Sequence, residues 1–145
     1  MVRKRMFVAG SVLVLAGAFA ANAQSGGRTV WDGTYSAAQA DRGKAVYATS
    51  CAMCHAESLA GIDVAPPLVG SAFLNNWNST SAGDLFTRIH DTMPLNNPGS
   101  MSGRDVADVE AYIFQANGFP AGSVDLPSNP ANLAGTKIVA AKPGS

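Results

Sequence analysis

Apolar residues recur every three or four positions in three segments of the chain, which is the spacing of an amphipathic helix. Stretches rich in glycine, proline and small polar residues separate these segments. The pattern therefore predicts a helical domain whose helices are joined by long loops. The positions that define the three apolar faces are Ala40, Gly43 and Tyr47; Leu85, Phe86 and Ile89; and Val106, Val109 and Ile113.

A serine stands at the start of each predicted helix, where its hydroxyl can accept a hydrogen bond from an unpaired backbone N–H. Ser36 and Gln39 have the spacing of a capping box, in which each side chain caps the backbone N–H of the other. Residues 56–80 are predicted to be loop-rich, because Pro66 and Pro67 exclude a helical path there. The three predicted helices run from about Ala37 to Ser50, from Ser81 onwards, and from Ser102 to about Asn117.

Residues 1–23 have the composition of an export signal. Arg3, Lys4 and Arg5 form a basic start, residues 6–20 are mostly apolar, and residues 21–23 form an Ala-Asn-Ala cleavage site. The apolar stretch is short for a retained membrane span. We therefore expect cleavage after Ala23 and a mature protein in the periplasm, an oxidising compartment, without stable membrane insertion.

The mature sequence divides into a leader at residues 24–35, one domain at residues 36–122 and a tail at residues 123–145. The tail contains prolines and glycines, and we expect it to be extended and partly docked through Leu126, Leu133 and Ile138. Without the signal, seven basic residues stand against ten acidic ones, a net charge of −3. This balance argues against nucleic-acid binding, which calls for a basic surface.

Cys51-Ala52-Met53-Cys54-His55 is the strongest chemical signal in the sequence. C-x-x-C-H is the attachment signature of c-type haem. The two thiols form thioethers with the haem vinyl groups, and the histidine that follows ligates the iron. The chain has two cysteines and both lie in this run. The run therefore predicts one covalent haem, attached through Cys51 and Cys54, with His55 as an iron ligand.

Other uses of a C-x-x-C pair fit this sequence less well. A structural zinc site needs four ligands, and beside the two cysteines and His55 the chain has one further histidine, His90. A thioredoxin-like redox motif needs a βαβ setting, and no strand-rich pattern precedes Cys51. A disulfide between cysteines three residues apart would be strained and would close almost no loop.

Over roughly residues 36–122 the chain resembles a small class I cytochrome c with a single haem. C-x-x-C-H after a helix, a proline-rich loop, the pair Met93-Pro94 and a terminal helix with aromatic residues carry this resemblance. Residues 30–35, 92–102 and 117–122 resemble cytochromes found with pyrroloquinoline-quinone (PQQ) dehydrogenases. The resemblance implies an all-α fold of three to five short helices, with long loops wrapped around one covalent haem.

The resemblance also implies how the first and last helices meet. In class I cytochromes a glycine and an aromatic residue of the first helix contact an aliphatic and an aromatic residue of the last. Gly43 and Tyr47 match the first pair, and Val109 and Tyr112 match the second. A close backbone approach would explain the glycine, which costs a helix about 1 kcal/mol relative to alanine.

The second axial ligand of the iron has three candidates. Met93 precedes Pro94 in the loop after a helix, as the axial methionine does in the resembled family, and we predict this residue. Met101 is the alternative, although methionine at such a position commonly fills gaps in a core. His90 would instead give a bis-histidine haem.

Three more residues are assigned to the haem pocket. A ligating histidine donates its other ring N–H to an oxygen, and by resemblance the carbonyl of Pro66, with Pro67 second, accepts from His55. Trp77 and Arg88 are candidates for contacts with the haem edge or its propionates. The alternatives are plain hydrophobic packing for Trp77 and a solvated helix face for Arg88.

Haem iron with histidine and methionine ligands is suited to electron transfer, since both axial positions are filled. The resemblance implies a monomeric electron carrier, not an enzyme, that accepts electrons from a PQQ dehydrogenase and passes them to an oxidase or another cytochrome. One alternative is a haem subunit of a larger dehydrogenase, contacted through the tail. Another is a gas-binding, sensor or peroxidase-like haem protein with an open or labile sixth position.

Overall fold

The computed structural model describes residues 27–144, so the predicted export signal lies outside the described residues. Within this range, β-pairing is limited to isolated bridges, and the all-α prediction is confirmed. No helix in the described part is long and apolar enough to cross a membrane. The helices are α1 (Ala37–Ser50), α2 (Ala52–His55), α3 (Gly70–Trp77), α4 (Ala82–Thr92) and α5 (Gly103–Ala116), with short 3₁₀ turns at Val30–Asp32 and Pro130–Asn132.

Helices α1 and α5 cross in direct backbone contact at Gly43. A Cβ atom built at Gly43 would lie 1.7 Å from the carbonyl oxygen of Asp108 and 3.0 Å from the nitrogen of Val109. One turn further along α1, the rings of Tyr47 and Tyr112 meet with their centroids 5.3 Å apart. The crossing implied by the resemblance to class I cytochromes is therefore present, and Gly43 is the residue that permits it.

Arg42 of α1 neutralises a buried carboxylate of α5 beside this crossing. Its guanidinium donates to both oxygens of Asp108 at 3.0 Å and to Asp125 of the tail at 2.7 Å. A buried charge is tolerated when it is paired in this way, and the Asp108 side chain is only 5% exposed. Hydrogen bonds from Ser36 and then Arg42 lower the pKa of Asp125. Two helices and the tail are thus joined by one ionic network.

Serine hydroxyls cap α1, α4 and α5 as predicted. The predicted capping box at α1 is wrong, however, because the Gln39 side chain does not return to Ser36. Its amide nitrogen donates to the carbonyl of Leu126 at 3.1 Å, and its oxygen accepts from the Leu126 N–H at 2.6 Å. The physical reason is that buried backbone groups of the tail need partners, whereas a helix start near the surface can also be satisfied by water.

Helix α3 lies inside the segment that was predicted to be loop-rich, and this prediction is wrong after residue 69. The chain is extended at Val69, with φ −136° and ψ 162°, and turns into the helix at Gly70. The restriction imposed by the prolines ends before that point. Phe73, which is buried, and Trp77 stand one turn apart with ring centroids 6.4 Å apart. Their spacing of four residues was the helical signal in the sequence.

The tail docks on its own domain. Its anchor residues Leu126, Leu133 and Ile138 are buried, as expected. Residues 136–138 lie between the leader and the start of α4. The Val30 N–H donates to the Lys137 carbonyl at 3.0 Å, the Lys137 N–H donates to Arg28, and the Ala82 N–H donates to Thr136. Together with the 3₁₀ turn, these pairs make the tail an integral layer of the fold.

Glu110 of α5 places a carboxyl group inside the core. Its side chain is completely buried, and within residues 27–144 neither carboxyl oxygen has a hydrogen-bond partner. Burial disfavours the charged form and raises the pKa of Glu110 well above its ordinary value of 4.5. The folded protein therefore keeps this carboxyl protonated over a pH range in which an exposed glutamate is ionised.

Replacing Gly43 with alanine is expected to destabilise the fold, because the new methyl group would overlap the Asp108 carbonyl. Overpacking of this kind lowers the free energy of unfolding by about 1–3 kcal/mol, which outweighs the gain in helix propensity. Urea unfolding would measure the change. Gly135→Ala is the matched control, since no atom lies within 4 Å of its built Cβ. Equal stability of Gly43→Ala and the wild type would contradict the crossing.

The raised pKa of Glu110 predicts a pH-dependent free energy of unfolding. The unfolded chain loses this proton near pH 4.5 and the folded protein retains it, so stability falls as pH rises from there to the folded-state pKa. The slope from this one group is about 1.4 kcal/mol per pH unit. Urea titrations across this range should give a shallower decline for Glu110→Gln. If the free energy of unfolding falls with pH equally steeply in the wild type and in Glu110→Gln, the raised pKa of Glu110 is refuted.

Candidate haem site

The C-x-x-C-H run lies at the end of α1 and forms the single turn of α2. The Cys51 N–H donates to the carbonyl of Tyr47 at 2.9 Å, which ends α1 at this residue. The Tyr47 hydroxyl then donates to the carbonyl of Ala56 at 2.7 Å, where the backbone has a positive φ of 62°. The turn is thus fixed at both ends, and it presents Cys51, Cys54 and His55 to one cavity.

The two thiols have different surroundings, and neither forms a disulfide. Cys54 is exposed, whereas Cys51 is half-buried. Burial, together with the neighbouring Cys54, raises the pKa of the Cys51 thiol to about 11. Before any covalent attachment, Cys51 is therefore a neutral thiol at neutral pH.

His55 is oriented by one hydrogen bond to the backbone. Its Nδ1 lies 2.9 Å from the carbonyl oxygen of Pro66, and the ring is buried. A carbonyl can only accept, so Nδ1 carries the proton of this bond, and in the neutral ring the lone pair is at Nε2. This is the tautomer that a metal-ligating histidine needs. The acceptor is Pro66, the first of the two prolines that the resemblance implied.

The loop that carries this acceptor is held by Asn117, a residue whose role the sequence did not reveal. Its side-chain nitrogen donates to the carbonyl of Leu68 at 2.9 Å, and its oxygen accepts from the Gly70 N–H at 3.0 Å. The Leu68 N–H in turn donates to Leu59 at 2.8 Å. An asparagine at the end of α5 gives no local sign of a contact 49 positions away, so no sequence spacing could have indicated it.

The cavity has a volume of about 720 Å³, which lies within the usual range for cofactor sites. Its apolar walls include Leu85 and Ile89 of α4 and Val109 and Ile113 of α5. All of the residues assigned to the site, apart from the alternative ligands, line this one cavity. They are Cys51, Cys54, His55, Pro66, Trp77, Arg88 and Met93.

The three candidates for the second axial ligand are separated by the fold. Met93 directly follows α4 and lines the cavity. Helix α4 ends there because proline disfavours a helical conformation in the preceding residue. Among the described residues that form the cavity walls, neither Met101 nor His90 is present. Ligation of iron by Met93 stays a prediction, but the fold brings Met93 and not its alternatives to His55.

Met101 and His90 have other surroundings. Met101 is buried in the hydrophobic core. His90 lines a separate groove of about 310 Å³, where its Nδ1 lies 2.8 Å from Asp91 and its ring stacks on Phe86. Either residue would have to leave these contacts to reach the cavity of the C-x-x-C-H turn.

Trp77 and Arg88 both line the cavity. Trp77 is half-buried and packs on Phe73, whereas the Arg88 side chain is exposed. Within the described residues, the Arg88 guanidinium forms no ion pair and thus stays available to an anionic group at the cavity. Their contacts with a haem edge or propionate stay predictions.

The residues of this cavity fit a haem attached through thioethers. Two thiols lie on one helical turn, a histidine that lines the cavity uses Nδ1 and not Nε2 for its hydrogen bond to Pro66, a methionine lines the same cavity, and the walls are apolar. The same residues are less suited to binding a metal ion without a porphyrin. Within the described part of the chain, no three histidine, cysteine or acidic side chains gather where they could hold one.

Residues 38–113, just over half of the chain, match the model of the family described as cytochrome C oxidase, cbb3-type, subunit III. The matched domain is a class I c-type cytochrome domain. The chain belongs to this family. A cytochrome c domain carries covalently bound haem iron and transfers electrons, so the resemblance and the class of cofactor are confirmed.

Among solved structures, this chain is similar to a chain in the crystal structure of the sulfane dehydrogenase SoxCD from Paracoccus pantotrophus. The TM-score is 0.45 and the sequence identity 21%, and the match covers 66% of this chain. It covers 55% of the SoxCD chain, so this protein spans about half the length of that relative. No curated protein matches the chain.

Covalent attachment can be tested by extraction with acidified acetone. The haem should stay with the wild-type polypeptide, because two thioether bonds hold it at Cys51 and Cys54. The double variant Cys51→Ala, Cys54→Ala should release any haem that it binds to the organic phase. Met53→Ala, which changes the residue between the two cysteines, should behave as wild type. Loss of haem from the wild type would contradict thioether attachment.

Proposed function

We propose that the mature protein is a periplasmic one-electron carrier with a single haem c, ligated by His55 and Met93, and that it is not an enzyme. The observation that carries this proposal is the convergence of Cys51, Cys54, His55 and Met93 on one apolar cavity. When bound, the haem supplies reversible one-electron chemistry at its iron. The predicted export signal supports the location, because an oxidising compartment permits such cysteine chemistry.

The side chains around the cavity have separable tasks. Pro66 fixes the His55 ring through Nδ1, so that Nε2 would be available to hold the haem iron without a change of tautomer. Met93 offers a soft thioether, a ligand that raises the reduction potential of haem iron. The apolar walls of α4 and α5 disfavour additional charge, which also favours the reduced state. With both axial positions filled, no substrate is expected to bind the iron.

Several of the residues that line the cavity are exposed apolar side chains. Five large apolar residues of the described chain are strongly exposed, and four of them line the cavity. A bound haem would pack against part of this apolar surface, and a redox partner must approach the cofactor closely at the part that stays exposed. These observations support transient docking of partners at this face. The four residues are Met53, Ile62, Val64 and Leu95, with exposed fractions of 83%, 47%, 97% and 72%.

A PQQ dehydrogenase is the proposed electron donor, and a respiratory oxidase or another cytochrome is the proposed acceptor. Similarity of residues 30–35, 92–102 and 117–122 to cytochromes of PQQ systems supports the donor. The family description, which names a cytochrome c oxidase, supports an oxidase as acceptor. We propose a monomer that binds neither nucleic acid nor, after signal cleavage, the membrane stably.

A permanent haem subunit of a larger complex is the second candidate, and the word "subunit" in the family description favours it. The tail is a poor contact for such a complex, because Leu126, Leu133 and Ile138 are buried in this chain. The exposed apolar face would have to serve instead. Gel filtration of the native protein from its source distinguishes the two, since a carrier elutes as a free small protein and a subunit elutes with its complex.

Carbon monoxide added to the reduced protein tests the closed iron site. We expect no change in the visible spectrum of the wild type or of Met101→Ala, because Met93 occupies the sixth position. Met93→Ala should bind carbon monoxide stoichiometrically and lose methionine ligation. Rapid binding by the wild type would support a gas-binding or enzymatic role. Loss of methionine ligation in Met101→Ala, with retention in Met93→Ala, would reassign the ligand.

A further inference from the structure

Glu110 is a buried ionisable group that the proposed electron transfer does not use. It is completely buried on α5, and both carboxyl oxygens are without a hydrogen-bond partner among the described residues. A polar group left in this state costs stability, so a purely structural position would favour an apolar residue. Its presence therefore calls for a functional explanation.

Glu110 lies on the helix that forms one wall of the haem cavity. It directly follows Val109 and stands three positions before Ile113, and both of these residues line the cavity. Residues three apart on a helix are neighbours on its surface, so Glu110 stands beside the wall-forming stripe of α5, although it is not itself among the described residues that line the cavity. The wall residues Leu85, Ile89, Val109 and Ile113 are apolar, and charges interact more strongly in apolar surroundings than in water.

Charged groups on the elements around α5 are engaged elsewhere or lie at the surface. Arg42 of α1 pairs with Asp108 and Asp125, and Asp84 of α4 caps its own helix. Burial alone accounts for the raised pKa of Glu110, with no contribution from a charged neighbour. The other titratable groups on the packed elements are Asp41, Lys44 and Tyr47 of α1, Arg88, His90 and Asp91 of α4, Arg104, Asp105 and Tyr112 of α5, and Lys137 and Lys142 of the tail.

We propose that Glu110 is a proton-exchanging group coupled to the oxidation state of the haem iron. Oxidation leaves one additional positive charge in the cavity, and an apolar wall separates that charge from a carboxyl group without any other ionic partner. The oxidised protein therefore favours the Glu110 carboxylate, and the reduced protein favours the neutral acid. The inference rests on the proposed function, since it requires a redox-active haem in this cavity.

The coupled step balances in electrons and protons. Reduction takes one electron from the donor protein and transfers one proton from bulk water to the Glu110 carboxylate. Oxidation returns the electron to the acceptor protein and the proton to water. By linkage, the midpoint potential falls as pH rises through the range in which oxidised and reduced protein differ in protonation.

Spectroelectrochemical titration over a series of pH values, with Glu110→Gln and Glu57→Gln, tests this proposal. Glu57 is the other glutamate of the chain and is exposed, so its variant is the matched control. We expect a potential that falls with pH in the wild type and in Glu57→Gln, and a flatter profile in Glu110→Gln. A pH-independent wild type, or the same pH dependence in Glu110→Gln, would overturn the proposal.

Infrared difference spectra between oxidised and reduced protein give an independent readout. The C=O stretch of a protonated carboxyl should appear on reduction in the wild type and be missing in Glu110→Gln; the same band in both would overturn the assignment. If Glu110→Gln does not fold, Glu110→Met, which removes the unpaired polar group, replaces it. If Glu110 is not the coupled group, the protein still contains its haem and still does not bind carbon monoxide. If the proposed electron-carrier function is wrong, haem content or carbon monoxide binding changes.

Discussion

The backbone contact between α1 and α5 at Gly43 is the constraint on which the site depends. Helix α1 runs directly into the C-x-x-C-H turn, and α5 provides Val109 and Ile113 to the cavity wall. The nitrogen of Val109 lies within 3.0 Å of the Cβ that Gly43 lacks. The distance between the attachment turn and the opposing wall is therefore set by two backbones, which are stiffer than interdigitated side chains. Any side chain at Gly43 would widen the crossing and the cavity together.

Single hydrogen bonds between residues far apart in the sequence also determine the geometry of the site. Pro66 determines the tautomer of His55, and Asn117 holds the Pro66 loop from the far end of α5. Tyr47 fixes the residue after the histidine while its ring packs on Tyr112. The same two helices that cross at Gly43 thus also orient the metal-binding face. Stability and ligand geometry are not independent in this domain.

Local signals were enough to predict much of this arrangement. Periodic apolar residues and serine caps predicted α1 and α5 nearly to the residue and the start of α4, because these helices depend on short-range chemistry. The features that were missed depend on the folded tail or on distant loops. Gln39 pairs with Leu126, and Asn117 with Leu68, only once those segments are in place.

Helix α3 was obscured by the neighbouring prolines, although the Phe73–Trp77 spacing was present in the sequence. Met93 and Met101 lie in one loop region and could be ranked by resemblance alone, whereas the fold places them in different surroundings.

The pairing of the leader with the tail has a mechanical consequence. Residues around Thr29 and Lys137 run parallel and exchange backbone hydrogen bonds, so both ends of the described chain meet at one seam. Tension applied to the two ends would pull these parallel segments past each other in shear. The hydrogen bonds and the buried Ile138 would then resist the load together. A tether or a fused domain at either end would strain this seam first, and the turn that carries Cys51 and His55 would be shielded from the force.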